Sequence, residues 1–128
     1  MSLTFKKIER LCSKKAIDAL FASGKSFTDY PIKLIYKLSD FESEYPVRVM
    51  FVAPKKKHKR ANKRNTLKRR MREVYRLHKP VFYTQLAEKK TDLMFIYLSN
   101  ELAEYHEIEK SMMKLMDKLT QKQNENKT

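Results

Sequence analysis

The side chains best placed to do chemistry in this sequence are cations, and they are crowded. Between Lys55 and Lys79 stand thirteen Lys or Arg residues against a single acid, Glu73. The remainder of the chain is nearly balanced, although the whole carries a formal net charge of +14 over 128 residues. Positive charge at that density is a footprint for a polyanion, and it opposes compaction unless the cations gather on one face and meet counter-charge there. Lys55-Lys56-Lys57-His58-Lys59-Arg60 opens the segment. From Ala61 to Lys79 there is no Gly or Pro, and Lys, Arg, Met and Leu dominate, which predicts a helix. At 100° per residue, Asn65, Lys68, Arg69, Arg72 and Arg76 fall within about 100° of one another. Leu67, Met71, Val74 and His78 fall within about 60° on a different face, the one expected to pack. Arg forks suit phosphate oxygens, and Asn65 can both donate and accept beside them. Phosphate recognition is the chemistry these residues offer.

A catalytic centre is not legible. His58, His78 and His106 lack metal-ligand spacing, no His-x-Glu or Cys-x-x-Cys pattern suggests zinc, and Gly24 is the sole glycine, so a glycine-rich phosphate loop is excluded. Cys12 is the only cysteine and can form no intrachain disulfide. His78 reads as packed and His58, among lysines, as a further phosphate contact. Glu9 and Asp18 could approach a magnesium-bound RNA, but no spacing selects them. No apolar run approaches the ~18 residues that span a bilayer, and Met1 to Lys7 lack an apolar signal core. A cytoplasmic protein without a membrane partner is expected.

The elements that must position the cations follow from periodicity. Ser13 as N-cap and Gly24 as C′ residue bracket a first helix at about 14–22, with Ala16, Ile17, Leu20 and Phe21 on one stripe. Residues 31–38 and 46–53 are short β-branched and aromatic runs joined by a polar turn that carries Asp40, Glu42 and Glu44, which reads as an antiparallel pair. Ser26 to Asp29 adds a short strand. Pro80 is expected to end the long helix. Residues 92–98 form a continuous apolar run, as in a central strand covered on both faces. Ser99 or Asn100 is expected to cap a last helix with Tyr105, Ile108, Met112, Leu115 and Leu119 on its buried stripe. The order is αβββαβα, an α+β class with one mixed or antiparallel sheet of about four strands and three helices. One domain over 1–120 and a polar, frayed tail over 121–128 are expected.

Lys55-Lys56, followed by Arg64-Asn65-Thr66-Leu67-Lys68-Arg69-Arg70-Met71-Arg72-Glu73, resembles the protein subunit of bacterial ribonuclease P. That family carries a lysine pair after a strand, then Ala-x-x-Arg-Asn-Arg-x-x-Lys-Arg-x-x-Arg-Glu. Phe5 to Leu11, Leu20-Phe21 with Gly24, and Asp92 to Tyr97 match its flanking segments. The resemblance implies a left-handed βαβ crossover, a fold shared with one class of ribosomal protein domains. It also implies a catalytic RNA partner that removes the 5′ leader of precursor tRNA with Mg2+, the protein itself binding no cofactor. RNA contacts carry over to Lys55, Lys56, Lys59, Arg60, Arg64, Asn65, Lys68, Arg69, Arg72 and Arg76. A leader cleft carries over to Ile17, Phe21 and Tyr36, with ordinary core packing the competing reading for Phe21 and Tyr36. Thr66 departs from the family's second arginine, and Arg70 adds a cation one turn later.

Other readings stay open on the residues alone. A structural or ribosomal-type RNA-binding protein shares the basic helix but needs no cleft. A DNA-binding helix requires mounting for groove entry, which a neighbouring sheet and crowded cations disfavour. An amphipathic membrane or calmodulin-type helix requires a broad exposed apolar face. A monomer that binds RNA and not DNA is the expectation.

Overall fold

The computed structural model describes residues 9–39, 41, 45–86 and 90–125. Phe5 to Ile8, the turn acids Asp40, Glu42 and Glu44, and residues 126–128 lie outside that set. The elements run α1 (Lys14–Ser23), β1 (Lys25–Asp29), β2 (Ile32–Leu38), β3 (Val47–Val52), α2 (Ala61–Gln85), β4 (Thr91–Tyr97) and α3 (Tyr105–Glu125). This is the α+β arrangement expected, with the short strand present as β1, but β2 and β3 do not pair with each other as the sequence suggests: β4 lies between them. The sheet order is β1-β2-β4-β3; β1 and β4 flank β2 antiparallel, and β3 lies parallel to β4.

Strand alternation divides the apolar residues between two faces. Ile32, Leu34, Tyr36, Val47, Val49, Phe51, Leu93, Phe95 and Tyr97 share one core with the buried stripes of α2 and α3. Ile35 and Met94 point the other way, into a smaller core with Leu11 and Leu20, where α1 lies. Removing each such side chain from water stabilises the fold by ~1.5–3 kcal/mol. Leu11 N–H donates to the Val49 carbonyl at 2.8 Å, so the segment before α1 is pinned along the free edge of β3.

The ends of α1 lie close to expectation. Ser13 Oγ accepts the Ala16 N–H at 3.3 Å, and Gly24 caps the far end by donating to Leu20 O at 2.8 Å. Gly24 is extended rather than left-handed (φ −71°, ψ 151°). Its need is space: a Cβ there would sit 2.7 Å from Ile35 Cγ2 and closer still to the Leu20 carbonyl oxygen.

Pro80 does not end the long helix, which continues to Gln85 with the proline inside it. The chain beyond is fastened by tertiary contacts that outweigh the missing N–H and the clash at Arg76 O. Phe82 and Tyr83 are buried. Tyr75 OH donates to Tyr83 OH at 3.0 Å, and Tyr83 OH donates to Glu9 Oε1 at 3.0 Å. Lys79 Nζ donates to both Glu9 oxygens at 2.7 and 2.8 Å. Burial raises both phenols above their ordinary range, so they remain donors. Lys79 and Glu9 are 1% and 0% exposed, which removes Glu9 from the candidates for magnesium-bound RNA.

Two further expectations are corrected. Ser99 and Asn100 do not cap the last helix, which begins at Tyr105; Ser99 Oγ instead accepts the Glu101 N–H at 3.0 Å, closing a local turn. The helix also runs past residue 120 to Glu125, because Gln123 is buried and donates to Thr91 Oγ1 at 2.7 Å.

Lys79→Met leaves the buried Glu9 carboxylate without its counter-charge and is expected to lower the urea unfolding free energy by ~3–5 kcal/mol. Adding Glu9→Leu should recover most of that. A single-variant loss under ~1 kcal/mol, the size typical of solvated pairs, would contradict the burial of this pair.

Candidate nucleic-acid interface

The loop between β3 and α2 presents its lysines by fixing the residue among them. Lys55, Lys56, Lys57, Lys59 and Arg60 are exposed, whereas His58 is buried. His58 Nε2 lies 2.8 Å from the Ser99 carbonyl, which can only accept, so Nε2 carries the proton. The ring rests against Tyr97. His58 is thus a peg that anchors the loop rather than a phosphate ligand. Arg64 tightens the same loop, its NH1 group donating to the His58 and Lys59 carbonyls at 2.9 and 2.8 Å.

Along α2, Asn65, Arg69 and Arg72 are exposed and Lys68 is half-buried. No carboxylate pairs with Lys68, Arg69 or Arg72 among the described residues. Of the thirteen cations in this segment only two are ion-paired among those residues, Arg76 with Glu73 and Lys79 with Glu9. Arg76 Nε reaches Glu73 Oε2 at 3.1 Å, and its guanidinium holds the Glu73 carboxyl below the usual range. The charge of Arg76 is therefore partly satisfied within the protein, and it marks the end of the ridge. Lys79 lies beyond that end. Leu67, Met71 and Val74 face the core early in α2, but Tyr75, Lys79, Phe82 and Tyr83 do so later. The buried stripe has rotated onto the face that carries Lys68 and Arg72.

His78, expected in the core, is instead half-exposed and meets Glu109 of α3 at 3.0 Å. Arg70 does not stand in for the missing arginine at Thr66. Its NH1 donates to Ala103 O at 2.6 Å, tying α2 to the loop before α3. Thr66 Oγ1 turns back to Asn62 O at 2.9 Å within the helix.

The second surface lies on the other side of the sheet. Cross-strand register places Lys37, Asp92 and Arg48 in one row, Ile35, Met94 and Met50 in the next, and Lys33, Ile96 and Val52 in the third. One flank of α1, at Lys15 and Ala19, borders the first row, where Arg48 holds Asp92 through two hydrogen bonds of 2.8 and 2.9 Å. Helical spacing puts Ile17 and Phe21 on the opposite flank of α1, away from the first row. Ile17, Met50, Val52 and Ile96 are only partly buried there, and Phe21 is 62% exposed. The result is a partly uncovered apolar strip on this face of the sheet, the place where a cleft beside α1 would lie. Tyr36 is not part of it. A strand alternates faces, so Ile35 takes the cleft side and Tyr36 enters the larger core, stacked on Phe27 with centroids 5.3 Å apart. Of the three residues expected at the cleft, Ile17 and Phe21 lie one turn apart on α1, whereas Tyr36 lies on the other face of the sheet. Ile35, Met50, Val52 and Ile96 were missed, although their alternation with core residues was the available signal.

Cleft and ridge meet at one end of the sheet. The third row holds the carboxyl-terminal residues of β3 and β4, and Val52 leads within three residues to Lys55. No group of three or more His, Cys, Asp or Glu could hold a metal ion among the described residues.

Arg64 and Lys68 are separable by this geometry. Arg64→Ala is expected to speed amide hydrogen exchange at residues 58–60, because the loop loses two bonds, whereas Lys68→Ala leaves it unchanged. Equal exchange in both variants would remove Arg64 from its role as loop clamp.

The ribonuclease P family model matches residues 5–120. The chain is 37% identical over 111 residues to the ribonuclease P protein component of Porphyromonas gingivalis, covering 84% of this chain and 80% of that one. It is 40% identical over 98 residues to the ribonuclease P protein component of Chlorobium phaeobacteroides, covering 74% and 67%. Among solved structures, the ribonuclease P protein of Thermotoga maritima superposes with a TM-score of 0.68 at 23% identity, over 86% of this chain and 96% of that one. The Staphylococcus aureus protein does so with 0.68 at 18% identity, over 85% and 93%. The two structures speak for the fold; the sequence matches speak for descent. The chain belongs to the ribonuclease P protein family.

Proposed function

We propose that this protein subunit of the ribonuclease P endoribonuclease binds the catalytic RNA through the β3–α2 loop and the exposed side of α2. In the same reading it holds the 5′ leader of precursor tRNA in the cleft beside α1. The observation that carries the proposal is the set of cations, from Lys55 to Arg72, that have no carboxylate partner among the described residues of the folded scaffold. Lys55, Lys56, Lys59 and Arg60 serve as flexible phosphate contacts, and Asn65, Lys68, Arg69 and Arg72 as a rigid row. Arg64 contributes the guanidinium N–H groups, at Nε and NH2, that the loop does not use. Phe21 and Ile17 offer apolar surface for unstacked bases. Such contacts are sequence-tolerant, since every base has a π-face, and leaders vary in sequence.

Cleavage is assigned to the RNA. Its Mg2+ ions, when bound, supply the activated water and stabilise the leaving oxygen. The two buried carboxylates among the described residues, Glu9 and Asp92, are committed to Lys79 and Arg48; the protein's part is to orient the substrate and neutralise phosphates. No helix among the described residues is long and apolar enough to cross a membrane. A monomeric subunit working in the cytoplasm, without DNA or lipid partners, fits this reading.

Reconstitution tests it. With a bacterial ribonuclease P RNA and precursor tRNA at low magnesium, the protein is expected to accelerate leader release; no stimulation over RNA alone defeats the reading, and so does cleavage by protein alone. Within the holoenzyme, Phe21→Ala is expected to weaken long-leader precursor by roughly 5- to 150-fold, as the loss of stacking on one base would, and to spare mature tRNA. Equal losses for both ligands would remove the cleft assignment.

A further inference from the structure

The end of the sheet that carries the basic loop also carries the β1–β2 turn. Asp29 pairs with Ile32, so the turn consists of Tyr30 and Pro31 alone. Ile32 lies opposite Tyr97 and Val52 opposite Ile96, so turn and loop leave the sheet on either side of β4. Two strand spacings put those exits about 10 Å apart. The ground between them is continuous. Leu98 N–H donates to the Pro31 carbonyl at 2.7 Å, and His58 reaches the Ser99 carbonyl at 2.8 Å with its ring against Tyr97. Ser111 Oγ of α3 donates to the Asp29 carbonyl. Both sides of the turn are thus fastened, and proline removes further backbone freedom.

Tyr30 nevertheless turns its ring to solvent, at 69% exposed. Phe21 is the only other exposed aromatic residue among those described. One exposed apolar side chain needs no explanation by itself; the surroundings give this one a use. Across the end of β4, Lys55, Lys56, Lys57, Lys59 and Arg60 are exposed, with no carboxylate partner among the described residues. Toward α3 the charge has the opposite sign. The Tyr97 hydroxyl accepts the Ala103 N–H at 2.9 Å. Burial raises the Tyr97 phenol, and Tyr30 and Glu107 are near enough to add to the shift. Glu101, Glu104 and Glu107 are exposed on that side, with Leu102 among them. Phosphate is therefore favoured on one side of Tyr30 and repelled on the other. The group that suits the ring itself is flat, uncharged and joined to a phosphate, which describes a nucleobase. Tyr97 belongs to the core beneath α2 and α3, so Tyr30 keeps to that side of the sheet, away from the face of Ile17 and Phe21.

We propose that Tyr30 is a stacking platform for an unpaired base of the ribonuclease P RNA, whose adjoining phosphates lie on the basic loop at Lys55 to Arg60. The inference rests on the reading of that loop as an RNA contact and adds to it a residue that carries no charge. The held turn presents the ring with little left to order on binding, and stacking on it tolerates any base.

Stacking and phosphate contacts separate by salt. Binding of the full chain to a bacterial ribonuclease P RNA is measured by fluorescence anisotropy over a series of salt concentrations. Tyr30→Ala is expected to weaken binding roughly 5- to 150-fold, as the loss of one stacked base would. Its slope of log K against log salt should equal that of the native chain, because a base on an aromatic ring releases no counterions. Tyr30→Trp should keep native affinity. Lys57→Gln with Lys59→Gln should instead flatten the slope by roughly one to two. In the holoenzyme, Tyr30→Ala should leave the preference for precursor over mature tRNA unchanged. Native affinity in Tyr30→Ala, a flattened slope in that variant, a loss that Tyr30→Trp shares, or a loss confined to precursor would each overturn the inference while leaving the RNA-binding loop in place. A native chain that does not bind the RNA would overturn the reading beneath it.

Discussion

Cations packed along one helix repel each other and oppose folding unless something offsets them, and this protein arranges that offset from outside. Its carboxylates are few near the ridge, and the buried ones are placed elsewhere. Glu9 neutralises Lys79, the one cation the core must accept, and Asp92 neutralises Arg48 on the far side of the sheet. Among the described residues only Glu73 reaches the ridge, at its Arg76 end. The cations from Lys55 to Arg72, other than Arg64 and Arg70, which donate to backbone carbonyls, therefore keep their field for a phosphate backbone to satisfy. Unneutralised charge held in a fixed row is the constraint to which the other features answer.

Rigidity is what the scaffold adds. His58, Arg64 and Arg70 all come from the basic segment, yet each donates to a backbone carbonyl, at Ser99, His58 with Lys59, and Ala103 respectively. Three cationic or potentially cationic residues are used to hold the loop and helix in place, so that their neighbours reach solvent in a defined order. The sheet then separates two tasks. Its α2–α3 face is a closed core, while its α1 face is left partly uncovered beside Ile17 and Phe21. Pinning of Leu11 on the edge of β3 and burial of Glu9 under α2 fasten both surfaces to the same strands.

Much of this was legible in the residues. Ser13 and Gly24 bracket α1, the alternating runs give β2 and β3, and the helical spacing of Leu67, Met71 and Val74 gives the packing stripe of α2. Local signals failed where distant contacts decided the outcome. Pro80 marks a helix end by its chemistry, but Glu9, seventy residues away, holds Lys79 and Tyr83 and so keeps the helix intact. The same contact turns Lys79 from a surface cation into a core residue, and nothing near either position announces it. Tyr36 came to the cleft by resemblance, with core packing as its competing reading; alternation along β2 puts it on the core face, opposite Ile35. His58 and His78 exchanged environments because each is set by a partner in a later segment, Ser99 and Glu109.

The salt dependence of RNA binding tests the central claim most directly. If the ridge cations meet phosphates, log K for the ribonuclease P RNA falls linearly with log salt, by ~0.7–0.9 per phosphate neutralised. Replacing Lys68, Arg69 and Arg72 together by Gln should then flatten that slope by roughly two to three, with the circular dichroism spectrum unchanged. A slope that is shallow in the native protein, or that survives the triple replacement, would show that these cations find their counter-charge elsewhere.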